Sequence, residues 1–144
     1  MARWIGIDWG GRRTGLAVSD VTGCIATPLE TVDTQLLLGR LEQLIREAPC
    51  AGLVVGIPSE GSDSSEGVRA LRLTLKAQFA PLRIEGVDEG DTSWEARQAL
   101  VQGGMPKKKR EEKGATDRVA AAIILQRFLD GAAPGGLPPL RFRR

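Results

Sequence analysis

The stretch Trp4-Ile5-Gly6-Ile7-Asp8-Trp9 is apolar except for one aspartate near its end, and the turn Gly10-Gly11-Arg12-Arg13 joins it to a second run, Thr14-Gly15-Leu16-Ala17-Val18. Two such runs across a Gly-rich turn predict a β-hairpin. The carboxylate constrains that hairpin. Withdrawing an ionised carboxylate from water costs several kcal/mol unless it is paired, hydrogen-bonded or bound to a cation. Any fold of this chain must account for Asp8.

The hydrophobic pattern continues into a third strand near residues 24 to 32, then changes period. Leu37, Leu41, Leu44, Ile45 and Ala48 recur at helical spacing after Asp33-Thr34, and Pro49 stops them. Gly52 to Ile57 is a continuous apolar run ended by Pro58, as expected of a central parallel strand covered on both faces. A helix follows from Gly67 to Phe79, with Val68, Leu71, Leu75 and Phe79 facing inward and Arg69, Arg72 and Lys76 forming a basic stripe. A last strand, Leu82 to Val87, leads into Asp88-Glu89-Gly90, then a helix from Ser93 to Val101, a basic loop, and an Ala/Ile/Leu helix from about Thr116 to Leu129. The order βββ-α-β-α-β-α-α predicts an α/β fold with a mixed five-stranded sheet, three antiparallel strands extended by two parallel ones and flanked by helices.

With 144 residues, 42% of them hydrophobic, the chain has material for one core. The expected organisation is a domain over residues 1–130 and a loose tail of proline and arginine over 131–144. The net charge of +2 points to no partner by itself. Without histidine, and with Cys24 and Cys50 at no metal-binding spacing, zinc chemistry and Ser-His or Cys-His nucleophiles are set aside. No run of about 18 apolar residues and no leader-like N-terminus occurs, so the expected location is cytoplasmic.

Three acidic positions fall where elements end: Asp8, the pair Asp88-Glu89, and Asp117 in the first turn of the last helix. Sites in α/β sheets form beyond strand ends, so these positions can converge. Stepping along the helix from Asp117 reaches Ala121, Ile124 and Phe128, which would put the carboxylate on the stripe facing the sheet. Each acid also has a structural explanation: turn hydrogen bonds for Asp8, solvation for Asp88 or Glu89, the helix dipole for Asp117. Together, carboxylates without histidine suit hard cations, Mg²⁺ or Mn²⁺, which activate water for attack on phosphate.

The run from Ile5 to Asp20 resembles the opening of the YqgF family, also called the RuvX or Holliday-junction-resolvase-like family. Val54-Val55-Gly56-Ile57-Pro58, Ser65-Glu66-Gly67, Val87-Asp88-Glu89, Thr92-Ser93-Trp94-Glu95-Ala96 and Asp117 to Gln126 follow in that family's order. The resemblance implies a ribonuclease H-like fold and a metal-dependent nuclease that matures the 5′ end of the small-subunit ribosomal RNA precursor in ribosome biogenesis. Holliday-junction cleavage in DNA recombination and repair is the alternative. It also implies a catalytic, metal-binding site at Asp8, Glu89 and Asp117, with Asp88 beside Glu89 and Glu89 preferred. Two positions depart from the family: Gly90 replaces an arginine, and Ala115 replaces a lysine, with Lys113 further upstream. Both remove positive charge near the implied phosphate.

The loop Lys107-Lys108-Lys109-Arg110, with Arg12 and Arg13, supplies cations for a nucleic-acid backbone, either an RNA precursor or branched or single-stranded DNA. The other reading of the loop is a solvated one, partly neutralised by Glu111 and Glu112. Trp9 and Trp94 stand beside the acids, where core packing is favoured over base stacking. Two rivals remain. A noncatalytic nucleic-acid-binding domain would keep the fold without the chemistry. The hairpin also resembles the phosphate loop of actin-like nucleotide-binding proteins, which need a second domain to enclose their ligand. The chain is expected to act as a monomer or a homodimer.

Overall fold

A computed structural model of the protein describes residues 2–89 and 114–131. β1 (Arg3–Asp8), β2 (Arg13–Ser19) and β3 (Ala26–Asp33) come first, and a 3₁₀ turn, Thr34–Leu36, leads into α1 (Leu37–Glu47). β4 (Cys50–Ile57), α2 (Ser65–Phe79), β5 (Arg83–Asp88) and α3 (Ala115–Leu129) complete the described elements. The expected helix from Ser93 to Val101, the loop Lys107 to Arg110 and the tail from residue 132 lie outside the described residues.

The strands form one sheet in the order β3-β2-β1-β4-β5. β2 pairs antiparallel with both β1 and β3, while β4 lies parallel to β1. The two parallel strands extend the antiparallel three as expected, β4 directly against β1 and β5 against β4 in the same direction. β1 thus becomes the centre of the sheet. α1 ends at Glu47, before Pro49 is reached, because Ala48 is extended at φ −154°, ψ 150°. Clash with the proline ring drives the residue before it out of the helical region.

Two apolar layers cover the sheet. Ile5, Ile7, Leu53 and Val55 point to one face, where Leu37, Leu41 and Leu44 of α1 and Val68, Leu71 and Leu75 of α2 bury them. Ala17, Val54 and Val87 point to the other, against Ala121, Ile124, Leu125 and Leu129 of α3. The alternation along each strand sorts the two sets. Phe128 completes α3's packing on Trp4, with ring centroids 4.6 Å apart.

Gly6, in the middle of β1, lies under α3. A Cβ there would stand 2.7 Å from the Leu125 Cβ and 2.9 Å from the Ala121 carbonyl, so the missing side chain sets how near the helix lies. Gln126 fixes α3 along the sheet: its Oε1 accepts the Ala26 amide at 2.9 Å, and its Nε2 donates to the Cys24 carbonyl at 2.9 Å.

Opposite effects are expected at two glycines. Gly6→Ala must lift α3 and should cost roughly 1–3 kcal/mol. Gly39→Ala, within α1 and with nothing in 4 Å of the added methyl, should stabilise by about 0.5–1 kcal/mol. Urea denaturation midpoints of the two variants check both signs.

Candidate active site

Strand alternation decides which side chains can meet. Gly6 and Asp8 share a face of β1, and Asp8 lies opposite Gly15 of β2 in the register. Val87 faces α3, so Glu89, two residues on, continues that face while Asp88 is turned to the other. The α3 side of the sheet therefore holds Asp8 from β1 and Glu89 from just beyond β5. Asp117 arrives from the helix itself.

Gly15 makes the arrival possible. Asp117's backbone rests on it so closely that a Cβ at residue 15 would overlap the Asp117 carbonyl. Gly56 does the same on the other side of Asp8: a side chain there would stand 2.5 Å from Ile124 and 3.2 Å from the Glu89 Oε2. Removing Cβ atoms from β2 and β4 admits two carboxylates on either side of a third.

Backbone anchors hold the parts in place. Thr14 is fully buried, and its Oγ1 lies 2.8 Å from the Thr34 Oγ1, which donates to the Gly10 carbonyl at 2.6 Å. With the Thr34 proton committed, Thr14 donates to Thr34 and the β1–β2 turn is tied to the end of β3. Thr31 Oγ1 donates to the Gly114 carbonyl at 2.6 Å, which secures the start of α3. Gly114 itself needs glycine, with φ +91°. At the other end of the site, Arg127 Nη1 donates to the carbonyls of Asp88 and Glu89 at 3.0 and 2.9 Å, while the Glu89 amide donates to the Ile57 carbonyl at 2.9 Å. Glu89 is thus held through its backbone, from α3 on one side and β4 on the other.

The electrostatics follow from this packing. Burial, then the negative charge of Glu89, then that of Asp117 push the Asp8 carboxyl up from 3.8 to about 7. Glu89 is raised as well, by burial first and by Asp88 second. Asp117 receives the Arg13 Nε at 3.1 Å, which places that arginine on the acid rather than toward solvent like Arg12. Asp88 is exposed at the rim. As placed, no three acids or cysteines among the described residues stand close enough together to ligate a single ion.

Sequence reasoning singled out all four acids, and the structure brings Asp8, Glu89 and Asp117 into one electrostatic field. It did not single out Arg127, whose position at the far end of α3 carries no local signal. It also passed over the glycines under α3. A glycine inside a strand is a sign of close backbone approach, and Gly6, Gly15 and Gly56 all carry it. Trp9 packs against Gly67 at the start of α2 and onto the core there, as the packing alternative expects. Ala115, where the family resemblance implied a lysine, is wholly buried in the first turn of α3. Gly90, Trp94 and Lys107 to Arg110 lie outside the described residues.

The sheet order and the helix across it define a ribonuclease H-like fold. Two solved structures share it at low identity. RuvC of T. thermophilus, in complex with a Holliday junction substrate, aligns with a TM-score of 0.58 and 17% identity over 96% of this chain and 99% of that one. Fowlpox virus resolvase, in complex with Holliday junction DNA, aligns with a TM-score of 0.58 and 10% identity over 88% and 96%. A sequence model of the RuvX family, described as Holliday junction resolvase, matches residues 2–131, and the chain belongs to that family. A Bacteroides thetaiotaomicron protein named "Putative pre-16S rRNA nuclease" is 36% identical over 134 residues, 90% of this chain and 97% of its own length. A protein of the same name from Porphyromonas gingivalis is 38% identical over 134 residues, 90% and 97% of the two chains.

A carboxyl raised to about 7 opposes folding when it ionises. The folded state binds the proton more tightly than the unfolded chain, so stability falls as pH rises from about 4 through 7, and the full penalty applies above that. Asp8→Asn removes the charge. In EDTA its stability should match wild type near pH 4 and exceed it by roughly 2–4 kcal/mol near pH 8. Denaturant melts across that range measure the difference, and equal stability at pH 8 would contradict the crowding.

Proposed function

We propose that this protein is a metal-dependent nuclease that hydrolyses phosphodiester bonds, acting in the cytoplasm at the 5′ end of the small-subunit ribosomal RNA precursor. The observation that carries the chemistry is the half-buried Asp8 carboxyl, in the field of Glu89 and Asp117 and pushed up to about 7 by burial first and by their charges second. Crowded carboxylates on separate elements are stable as anions only when a cation neutralises them. The donors are all carboxylate oxygens, which fits Mg²⁺ or Mn²⁺. The RNA substrate is supported by relatives that align over nearly their whole length and carry the pre-16S rRNA nuclease name.

In this reading Asp8, Glu89 and Asp117 would hold the cation once drawn closer together than the described residues place them, and Asp88 would contribute charge from the rim. When bound, such a cation supplies an activated water and neutralises charge developing on phosphate. Arg13 orients the Asp117 carboxylate through its Nε. Arg127 fixes the Glu89 backbone from behind. Arg12, exposed beside Asp8 in the hairpin turn, and the Lys107 to Arg110 loop meet the sugar-phosphate backbone.

Holliday-junction cleavage is the second reading, favoured by the description of the matching family. Symmetric cutting of a four-way junction requires two active sites, hence a homodimer. A noncatalytic binding domain is the third. A panel of labelled precursor RNA, single-stranded DNA and four-way junctions, incubated with Mg²⁺, Mn²⁺ or EDTA, separates all three. RNA cleavage that stops in EDTA is expected. Preferred, symmetric cutting of the junction would favour resolution, and binding without cleavage would sink the nuclease reading.

Within that assay Asp8→Asn keeps the side-chain volume and removes the anionic ligand. Activity should fall by a factor of at least about 100 with the fold intact. A variant that cleaves like wild type would remove Asp8 from the site. Replacing Lys107, Lys108, Lys109 and Arg110 with Ala should flatten the salt dependence of binding by about 0.7 for each lost single-strand contact, or about 0.9 for duplex DNA. An unchanged slope, measured with Ca²⁺ at several salt concentrations, would assign the loop to solvent.

A further inference from the structure

On the far side of the strand ends from the acids, a cleft of about 240 Å³ opens between β4 and α2, lined by Ile57, Pro58, Glu60, Ser65, Val68, Arg69 and Arg72. That volume lies below the range of about 300–1,000 Å³ that small-molecule pockets occupy, yet it is ample for one phosphodiester group. Its chemistry is cationic. Arg69 and Arg72 both face it, and among the described residues neither forms an ion pair. Glu60 is the acid on the lining.

Arg72 is the more constrained of the two. It is half-buried, and its Nε is sealed from solvent without a hydrogen-bond acceptor. An unsatisfied charged donor of that kind is costly, and guanidinium groups are satisfied best by carboxylate or phosphate oxygens. The guanidinium lies against β5, where a Cβ on Gly86 would stand 3.4 Å from Arg72 Nη2, an ordinary contact distance. Helical spacing puts Ser65, Arg69 and Arg72 on one face of α2, and Ser64 at the helix start caps none of the first-turn amides with its side chain. The positive end of a 15-residue helix therefore opens onto the same cleft.

The position relative to the acids gives the cleft a role. Ile57 lines it, and the Ile57 carbonyl accepts the Glu89 amide at 2.9 Å. One residue of β4 separates the arginines from the acid site at the carboxyl ends of the strands, where ligands of α/β sheets bind. We propose that Arg69 and Arg72 form a phosphate subsite that holds a backbone phosphate neighbouring the scissile one, so that the substrate strand is clamped across the ends of β4 and β5. This rests on the nuclease reading for the identity of the strand. The anion chemistry of the cleft stands apart from it.

The test uses the full chain and the variants Arg72→Ala, Arg69→Ala, their double, and Arg72→Gln to guard against a packing defect. With Ca²⁺ in place of the active metal, the double variant should bind single-stranded RNA at least about tenfold more weakly, with a salt slope reduced by about 1.4 for two lost contacts. With the active metal, KM should rise while kcat at saturation stays within about twofold. A single neutral methylphosphonate linkage, moved along the RNA, should weaken wild type at one position near the cleavage point and leave the double variant indifferent there. Variants that bind with wild-type slope, or that respond to the scanned linkage as wild type does, would overturn the subsite while leaving the nuclease intact. The Arg72 Nε–H resonance, titrated with pyrophosphate, reads the cleft without any cleavage. It should shift, and a resonance that stays still overturns the anion site. A resonance that shifts in a protein that cleaves no nucleic acid would end the nuclease reading and with it the strand subsite.

Discussion

The architecture of the site depends on how closely α3 lies against the sheet. Helices pack on sheets through side chains, and those side chains normally hold the helix backbone well clear of the strands. Here Gly6, Gly15 and Gly56 strip Cβ atoms from three adjacent strands beneath the helix. The backbone of Asp117 comes down onto Gly15, directly across the β1–β2 ladder from Asp8. Any larger residue in that row would open the site by lifting the helix.

This close approach sets a conflict between stability and function. Three half-buried carboxylates share one electrostatic field, and the price appears on Asp8, whose carboxyl holds its proton to about pH 7 through burial and then through the charges of Glu89 and Asp117. Around that conflict the chain places rigid anchors: Arg13 on Asp117, Arg127 on the backbone of residues 88 and 89, and the Thr14–Thr34–Gly10 chain under the hairpin turn. Each anchor uses a group distant in sequence, such as the pair 104 residues apart that joins Arg13 to Asp117. Strain of this kind persists only where the surrounding structure outweighs it.

Cations are distributed in two ways around the acids. Arg13 and Arg127 are spent within the fold, on a carboxylate and on two carbonyls. Arg69 and Arg72 form no ion pair among the described residues and line a cleft at the strand ends that they share with Glu60. The distinction matters for Ala115, where the family resemblance implied a lysine. Ala115 is buried in the first turn of α3, so charge lost there is not restored at the same place. In the proposed reading, the arginines of α2 would supply positive charge from the opposite side of the sheet, along the route a strand would take past Glu89.

The sequence by itself determined the elements and their kind. Period-two and period-3.6 patterns, Pro49, Pro58 and the Gly-rich turns are local signals, and the strands and helices they predict are present to within a few residues wherever the chain is described. The acids were singled out on local grounds too: Asp8 and the pair Asp88-Glu89 stand where apolar strands end, and Asp117 shares its helix stripe with Ala121, Ile124 and Phe128. The choice between Asp88 and Glu89 was within reach of alternation, but only once Val87 is known to face α3, which depends on β5 lying outside β4. Tertiary structure alone decided that strand order, the seating of α3 on Gly15, the pairing of Arg13 with Asp117 and the reach of Arg127 to the end of β5. These are contacts between segments far apart in the chain, and their energies depend on distances that no local pattern encodes.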